Sequence, residues 1–576
     1  MITPRPDSTT QFSLRLDGRL SDAHTAFARY SHDDILTFAR TAGLQSYPSS
    51  WSRLKGWSDQ SILGLTSVLG ERLVKDLRFS YFYVSGSLVA ISDRDCQGCI
   101  GIGAPSITVA QTGLSLGVSS SERTVGRRFH LNDYLTWQRA THRLRFGVDW
   151  EYNRGGTVTV GNEPATLTLY SPQRARAAGL PVPAAFRTLD DILQLPLQSV
   201  TVGIGDPSTP QANGSLVRSW HILRLFFQDI WRVRPRLTLN YGLGWNVDRN
   251  LNYDLTKPAL LVPILGADGL GPTRRQWKNF SSTLGAAWAP SRDSKTVIRA
   301  GAGFFYDFLF PPFLETERGL LGPVGLGRQN IAGSRLTNCL SDIPGVSQGA
   351  ALNFPNTPTR FTGANLMTCL PAIRANLIGN LTNVDPSTQA IQLIKQGTLN
   401  PEHVPGSTAF HINLGVQREI ASDFVLSADF AYQHFDHLEL GQLDLNHFNS
   451  ARGPVLPRCL NEAQRSDPHA LCSTGPINVQ VNAGRATYKG LLVRADKRFS
   501  HGFQLLGSWA YSSNIGTNST STNTPNGFNL DDWLSNRGPL ANDTTHILSL
   551  AGVVQFPGRF RLGFNFSFSS IPPFSV

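Results

Sequence analysis

The chain has 576 residues, 40% hydrophobic, with 53 Gly, only two Met and a formal net charge of +11. Its mean hydropathy of −0.16, and a longest apolar run (Ala177 to Phe186) far short of the ~18 residues a spanning helix needs, exclude a helical membrane bundle. The basic excess does not point to nucleic acid. The cations are scattered beside short turns (Arg139 and Arg143, Arg292 and Lys295, Arg559 and Arg561), with no basic run or recognition motif.

Taken in order, the chain reads as eight hairpins with a period of two. Gln11 to Asp17 and His24 to Ser31 form the first, with Phe12, Leu14 and Leu16 alternating against polar residues. Ile62 to Leu69 and Leu73 to Tyr83 form the second, where Leu77, Phe79, Tyr81 and Tyr83 oppose Asp76, Arg78 and Ser80. In the third, Arg128 to Trp137 and Arg143 to Tyr152, the return arm sets Leu144, Phe146, Val148, Trp150 and Tyr152 against Arg143, Arg145, Gly147, Asp149 and Glu151. The fourth, Leu223 to Val233 and Arg236 to Asn246, repeats that unit: QDIWRVRPRLTLNYGLGW echoes NDYLTWQRATHRLRFGVDW. The fifth, Trp277 to Asp307, turns at Pro290 to Ser294. The sixth is Phe410 to Glu419 and Phe424 to Gln433. The seventh is Tyr488 to Lys497 and Phe503 to Tyr511, and the eighth, His546 to Gln555 and Phe560 to Phe568, ends in FRLGFNFSF.

Within hairpins the turns are about two to six residues, whereas between hairpins the links run from about 30 to about 100. Strict short–long alternation is the expectation for a membrane barrel with short periplasmic turns and long extracellular loops. A soluble sandwich has no reason to put its long loops at one end. About ten alternating residues per arm suffice to cross hydrocarbon when tilted. The expected fold class is all-β: a transmembrane antiparallel β-barrel with about 16 strands visible, embedded in the lipid of a Gram-negative outer membrane. The longest link, Phe308 to about Gly406, reads as largely irregular with a helical piece at Thr388 to Lys395. A short helix is predicted over Leu189 to Leu197.

Six cysteines fall by proximity into couples: Cys96 with Cys99, Cys339 with Cys369, and Cys459 with Cys472. All lie in long connections, and local disulfides in an oxidising compartment fit best. The DCQGC segment could instead be half a zinc site or a redox pair, but no second CxxC or nearby His pair completes a zinc set. The opening MITPRPDSTTQFSL has no apolar signal region, so the chain is expected to be a piece of a longer barrel protein or a truncated gene product.

These stretches resemble the barrel of TonB-dependent receptors, specifically the Oar-like branch. The resemblance rests on QFSLRLDGRLSDAHTAFARYS, FFQDIWRVRPRLTLNYGLGW, NFSSTLGAAWAPSRDSKTVIRAGAGFFYD, YKGLLVRADKRFSHGFQLLGSWAYS and the closing SSIPPFSV, in the family's order and across nearly the whole chain. It implies a 22-strand barrel around an N-terminal plug, energised by an inner-membrane TonB complex. It also implies uptake of a bulky ligand such as a siderophore, cobalamin or glycan fragment. Residues 1–576 match the barrel alone. No plug segment is found, and the family's strands after PFSV are expected to be missing. The TonB complex is a partner only if the full-length protein has a plug. The alternative is a plugless pore or a surface-adhesion barrel.

No GxSxG, HExxH or Walker pattern appears, so no enzyme, catalytic set or cofactor is expected. The most plausible functional surface is the lumen face: Arg145, Asp149, Glu151, Asn240, Arg299, Asp429 and Arg561. Mere solvation of the wall is the competing reading. His434, Asp436, His437 and Glu439 could hold a metal but read better as a polar rim. Asp531, Asp532 and Asp543, near a loop base, read as solvated carboxylates or as partners of rim arginines. Trp51, Trp57 and Trp533 read as loop-tip aromatics that grip ligand or sit in the outer belt.

Overall fold

The structure, a computed structural model, describes residues 7–38, 47–118, 121–160, 165–203, 218–248, 256–257, 259–274, 276–307, 330–332, 358–382, 398–448, 450–461, 464, 470–473, 475–517 and 537–573. Sixteen long strands pair in a single antiparallel meander. They are β1 (Ser8–Arg19), β2 (His24–Phe38), β3 (Ser52–Leu69), β4 (Leu73–Ala90), β5 (Ser121–Arg139), β6 (His142–Val160), β7 (Arg218–Arg234) and β8 (Leu237–Asp248), then β9 (Asn279–Trp288), β10 (Thr296–Tyr306), β11 (Thr408–Ala421), β12 (Phe424–Asp444), β13 (Asn478–Ser500), β14 (Phe503–Gly516), β15 (His546–Gln555) and β16 (Arg561–Ser569). All eight predicted hairpins are present, each closed by a short turn.

Many strands run further than predicted, by one to three residues at the short-turn end and by most at the long-loop end. The extensions carry Ser31-His32-Asp33-Asp34, Val84-Ser85-Gly86-Ser87 and Arg154-Gly155-Gly156. Beyond the hydrocarbon both faces meet water, so alternation is no longer enforced although the hydrogen-bonded ladder continues.

Register fixes the two faces. Arg15 lies opposite Arg29, Arg29 opposite Ile62, Ile62 opposite Ser80, Ser80 opposite His130 and His130 opposite Glu151. That polar row faces the lumen. The other face carries Leu14, Leu63, Phe146, Leu284, Phe430 and Phe566, all exposed, Leu284 to 60%. Such a continuous apolar surface is what lipid requires and water would not tolerate. Among the described residues β1 pairs only with β2 and β16 only with β15, and both are exposed throughout. In hydrocarbon such edges must be hydrogen-bonded to further strand backbone.

The described hydrophobic cores sit in the long loops, not in the wall. The largest joins three connections in one five-stranded sheet, ordered Asn330–Ala332, Leu197–Gly203, Thr166–Leu169, Ser106–Val109, Leu114–Leu116. Ile107, Leu167, Leu169 and Leu197 are fully buried there beneath Phe361 and Leu366. Phe361 and Leu366 flank the start of a helix, Gly363–Thr382. Thr362 and Asn365 cap it reciprocally: Asn365 N donates to Thr362 Oγ1 (3.3 Å) and Thr362 N to Asn365 Oδ1 (3.0 Å). This helix is an element the sequence reading of that connection did not place, while Thr388 to Lys395 lies outside the described residues.

The predicted short helix is observed as Leu189–Leu193, opened by a capping box of Thr188 and Asp191. The Asp191 carboxyl takes the backbone N–H groups of Arg187 and Thr188, which hold it below the usual carboxylate range. Cys96 is bonded to Cys99 and Cys459 to Cys472. Cys369 is also disulfide-bonded, and Cys339 lies outside the described residues. The pairing of Cys96 with Cys99 removes the zinc reading of DCQGC.

Candidate functional site: the lumen wall

Arg145, Asp149 and Glu151 alternate along β6 on the inward face. Asp149 is the hub, because the ladder sets Asn132, Asp149 and Arg224 side by side on β5, β6 and β7. Arg224 Nη1 donates to Asp149 Oδ1 at 2.7 Å and Asn132 Nδ2 to Oδ2 at 2.5 Å, with His130 Nε2 at 3.0 Å. Glu151 lies 3.6 Å from the same guanidinium and accepts from Asn153 Nδ2 at 2.8 Å. The Arg145 guanidinium sits over the rings of Tyr134 (4.6 Å) and Phe226 (5.8 Å), a cation–π arrangement that orients it without neutralising it.

A second cluster forms a trough of about 470 Å³ in the wall of β8 to β12. It brings together Asn240, Arg299 and Asp429, three residues singled out from sequence on three separate strands. Arg299 Nη2 and Asp429 Oδ1 are 3.5 Å apart, both side chains about half exposed. The strand between them contributes Gly415, opposite both in register. A Cβ at Gly415 would stand 2.1 Å from Asp429 Oδ1, and one at Gly285 would stand 2.3 Å from Asn240 Oδ1. Glycine at both positions leaves room for a polar side chain to lie flat across the backbone. Arg561 shares the inward face by register, opposite Gln555, but stands exposed at the start of the edge strand β16, and among the described residues no ion pair joins it to the other six.

Sequence reasoning missed a basic recess. Arg15, Arg29, Arg78 and Arg128 converge in a cavity of about 340 Å³ on the inner face of β1 to β5. Asp17 holds Arg15 (2.7 Å) and Asp76 holds Arg78 (3.0 Å). Arg29 donates only to the hydroxyls of Ser13 and Ser31, and Arg128 lies over Phe82 at 5.4 Å. Alternation in SLRLD and DLRFS was the available signal; the convergence needs the register.

The repeated NDYLTW and QDIWRV units held a second signal. Their aspartates, Asp133 and Asp229, face outward. Asp133 pairs with Lys75 at 3.1 Å. Asp229 is fully buried under His142 Nδ1 (2.6 Å) and Tyr241 Oη (2.7 Å). A carboxylate on the lipid side is tolerated only when shielded by partners in this way.

Trp51 is not a loop-tip anchor: it is buried among Phe38, Ile91, Cys96 and Cys99. Trp57 faces outward beside the Tyr83 ring at 6.0 Å, in the outer belt. His434 and Arg485 flank Asp436 at 3.2 and 3.1 Å, forming a polar rim. Asp543 accepts from the Asn514 backbone N–H at 2.8 Å. Asp531, Asp532 and Trp533 lie outside the described residues. The arrangement offers fixed, mostly self-compensated charge, so it can seat or steer a polar body.

A meander of tilted strands, lipid-facing outside and charged inside, matches a family model described as an outer membrane beta barrel domain over residues 2–566. The chain belongs to that family. Its place is therefore the Gram-negative outer membrane, in contact with lipid. No curated protein matches it. Among solved structures it is similar to the outer membrane transporter YddB from Escherichia coli, at 12% identity and a TM-score of 0.56, covering 98% of this chain and 57% of that one. The copper transporter OprC (11% identity, TM-score 0.47, 97% and 64% covered) and the siderophore receptor PirA from Pseudomonas aeruginosa (10%, 0.45, 98% and 62%) are more distant. The chain thus spans less than two thirds of each of these proteins. The likeness to YddB is one of fold, that of an outer-membrane transporter barrel as the resemblance to TonB-dependent receptors implied.

Proposed function

We propose that residues 1–576 form the barrel portion of a TonB-type outer-membrane transporter that takes up a bulky ligand of the siderophore, cobalamin or glycan class. One observation carries the reading. Long loops separated by whole hairpins fold into one buried core at the extracellular end, above a lumen wall lined with fixed charges. Loops built only to connect strands need no shared core, whereas a receptor needs a rigid surface to recognise ligand. The Asp149 and Arg299 clusters below it then face the passage or the body that fills it. The inner-membrane complex is a partner in the full-length protein if a plug accompanies the barrel.

The test is uptake of labelled ferric siderophore, cobalamin and oligosaccharide by cells carrying the full-length protein, with and without a proton gradient and TonB. Gradient- and TonB-dependent uptake of one class is the expected result. Steady ion conductance by the purified protein in planar bilayers, with no energised uptake, would instead establish the pore reading.

A further inference from the structure

We propose that the outward face of the barrel, at its extracellular boundary, binds a phosphate of lipid A, the outer-leaflet lipid richest in exposed phosphate, through Arg127 and Arg154. These two arginines are direct cross-strand partners on β5 and β6. They share the face that carries Phe129 and Tyr152 and therefore point away from the lumen. Like charges directly opposite each other in a sheet are destabilising, so the pair calls for an anion. None comes from the described protein residues. Arg127 lies over the Tyr83 ring at 5.7 Å, and neither guanidinium has a carboxylate within ion-pair reach. The carboxylate in the same row, Asp59, lies two strands from Arg127 and is taken up by His32 Nδ1 (2.8 Å) and Tyr30 Oη (2.6 Å).

Depth identifies the anion. From Trp137 at the periplasmic end of β5 to Arg127 is ten residues. At about 3.4 Å per residue and a tilt near 40°, that is roughly 26 Å along the membrane normal, the height of a barrel's apolar band. Immediately below the arginines the rings of Tyr81, Phe129, Tyr152 and His221 pack in succession at 5.0, 6.1 and 4.8 Å, as an interfacial aromatic belt does. The pair thus sits at headgroup level, where the available anions are lipid phosphates. A guanidinium can bind such a phosphate bidentately. Arg123, exposed on the same face two positions further out beyond Val125, extends the patch.

The test uses the whole chain purified from outer membranes in non-ionic detergent. Retained lipid is measured by mass spectrometry, and rebinding is measured with lipid A, phosphatidylethanolamine and inorganic phosphate as probes. R127Q/R154Q should lower lipid A affinity by roughly thirtyfold, whereas R292Q, in a periplasmic turn, should leave it unchanged. R127K/R154K should recover part of the loss. Heat-modifiable migration on gels checks folding, and if the double variant fails to fold, R127Q and R154Q are read singly, each expected to lose roughly fivefold. Unaltered lipid A binding in the folded Gln variants would overturn the proposal. So would equal binding of phosphatidylethanolamine, or displacement of lipid A by inorganic phosphate at equal concentration.

Discussion

The Asp429 carboxylate lies across Gly415 so closely that a Cβ at 415 would meet its Oδ1 at 2.1 Å. The glycine lets Asp429 reach over β11 towards Arg299, 3.5 Å from Oδ1. Gly415→Ala should push the carboxylate off the wall and cost about 1 kcal/mol, the low end for overpacking, because the site opens into the lumen. In a cycle with Asp429→Ala, which removes the carboxyl group altogether, unfolding from vesicles by urea should show the two substitutions coupled. Strict additivity would mean that Gly415 serves something else.

The turn between β11 and β12 is held by a carboxylate as well. Asp423 Oδ2 accepts from Lys497 Nζ at 2.7 Å and from the Ser500 hydroxyl. These donors, Lys497 foremost, lower its pKa from 3.8 to about 2. A carboxyl depressed in the folded state contributes stability above its unfolded pKa and loses it as pH falls through the folded one. The contribution is therefore complete above about pH 4 and fades towards pH 2. Asp423→Asn should flatten the fall in unfolding midpoint across that window and leave the pH 5 to 7 range parallel to the parent.

The eight hairpins were legible in the sequence because lipid on one side and water on the other force a period of two. Leu144 to Tyr152 against Arg143 to Glu151 is the clearest case. The same rule explains what was not legible. Strand ends such as Ser85 to Ala90 run into water on both faces and lose the pattern. The extracellular core depends on Leu167, Leu197 and Phe361 meeting from separate connections, which no local spacing encodes. The Thr362–Asn365 cap was the one local signal for its helix. Among the candidate residues, alternation puts Arg299 and Asp429 on the same face of their strands. Their meeting with Asn240 across Gly415 and Gly285 needed the register. Asp133 and Asp229 broke the alternation because a paired side chain on the same face, not the period, sets their cost.

The bond between Cys459 and Cys472 closes a short segment of the loop between β12 and β13, which contributes Leu456 and Ile477 to a core with Leu260, Leu261 and Leu399. Loss of a bond closing about 15 residues is worth about 3 kcal/mol in the chain-entropy account. It should fall on the loop alone, since the wall ladder does not pass through it. In C459S/C472S, limited proteolysis should cut first between residues 445 and 477. The heat-modifiable gel shift of the barrel should persist; its loss would show that loop and wall fold as one unit.

Facing of the fifth hairpin tests the membrane barrel most directly. Leu284 and Thr283 are neighbours on β9, Leu284 outward midway between Phe280 and Trp288 and Thr283 inward opposite Gly242 and Gly303. Ala286, one step from Trp288 on the outward face, lies near the periplasmic belt. The measurement is the free energy of folding into lipid vesicles for single arginine substitutions. Leu284→Arg should cost about 2–4 kcal/mol, Ala286→Arg about 0–1 kcal/mol, and Thr283→Arg little, because it enters the aqueous lumen. Equal costs at 283 and 284, or a larger cost at 283, would contradict a lipid-facing wall and the barrel built on it.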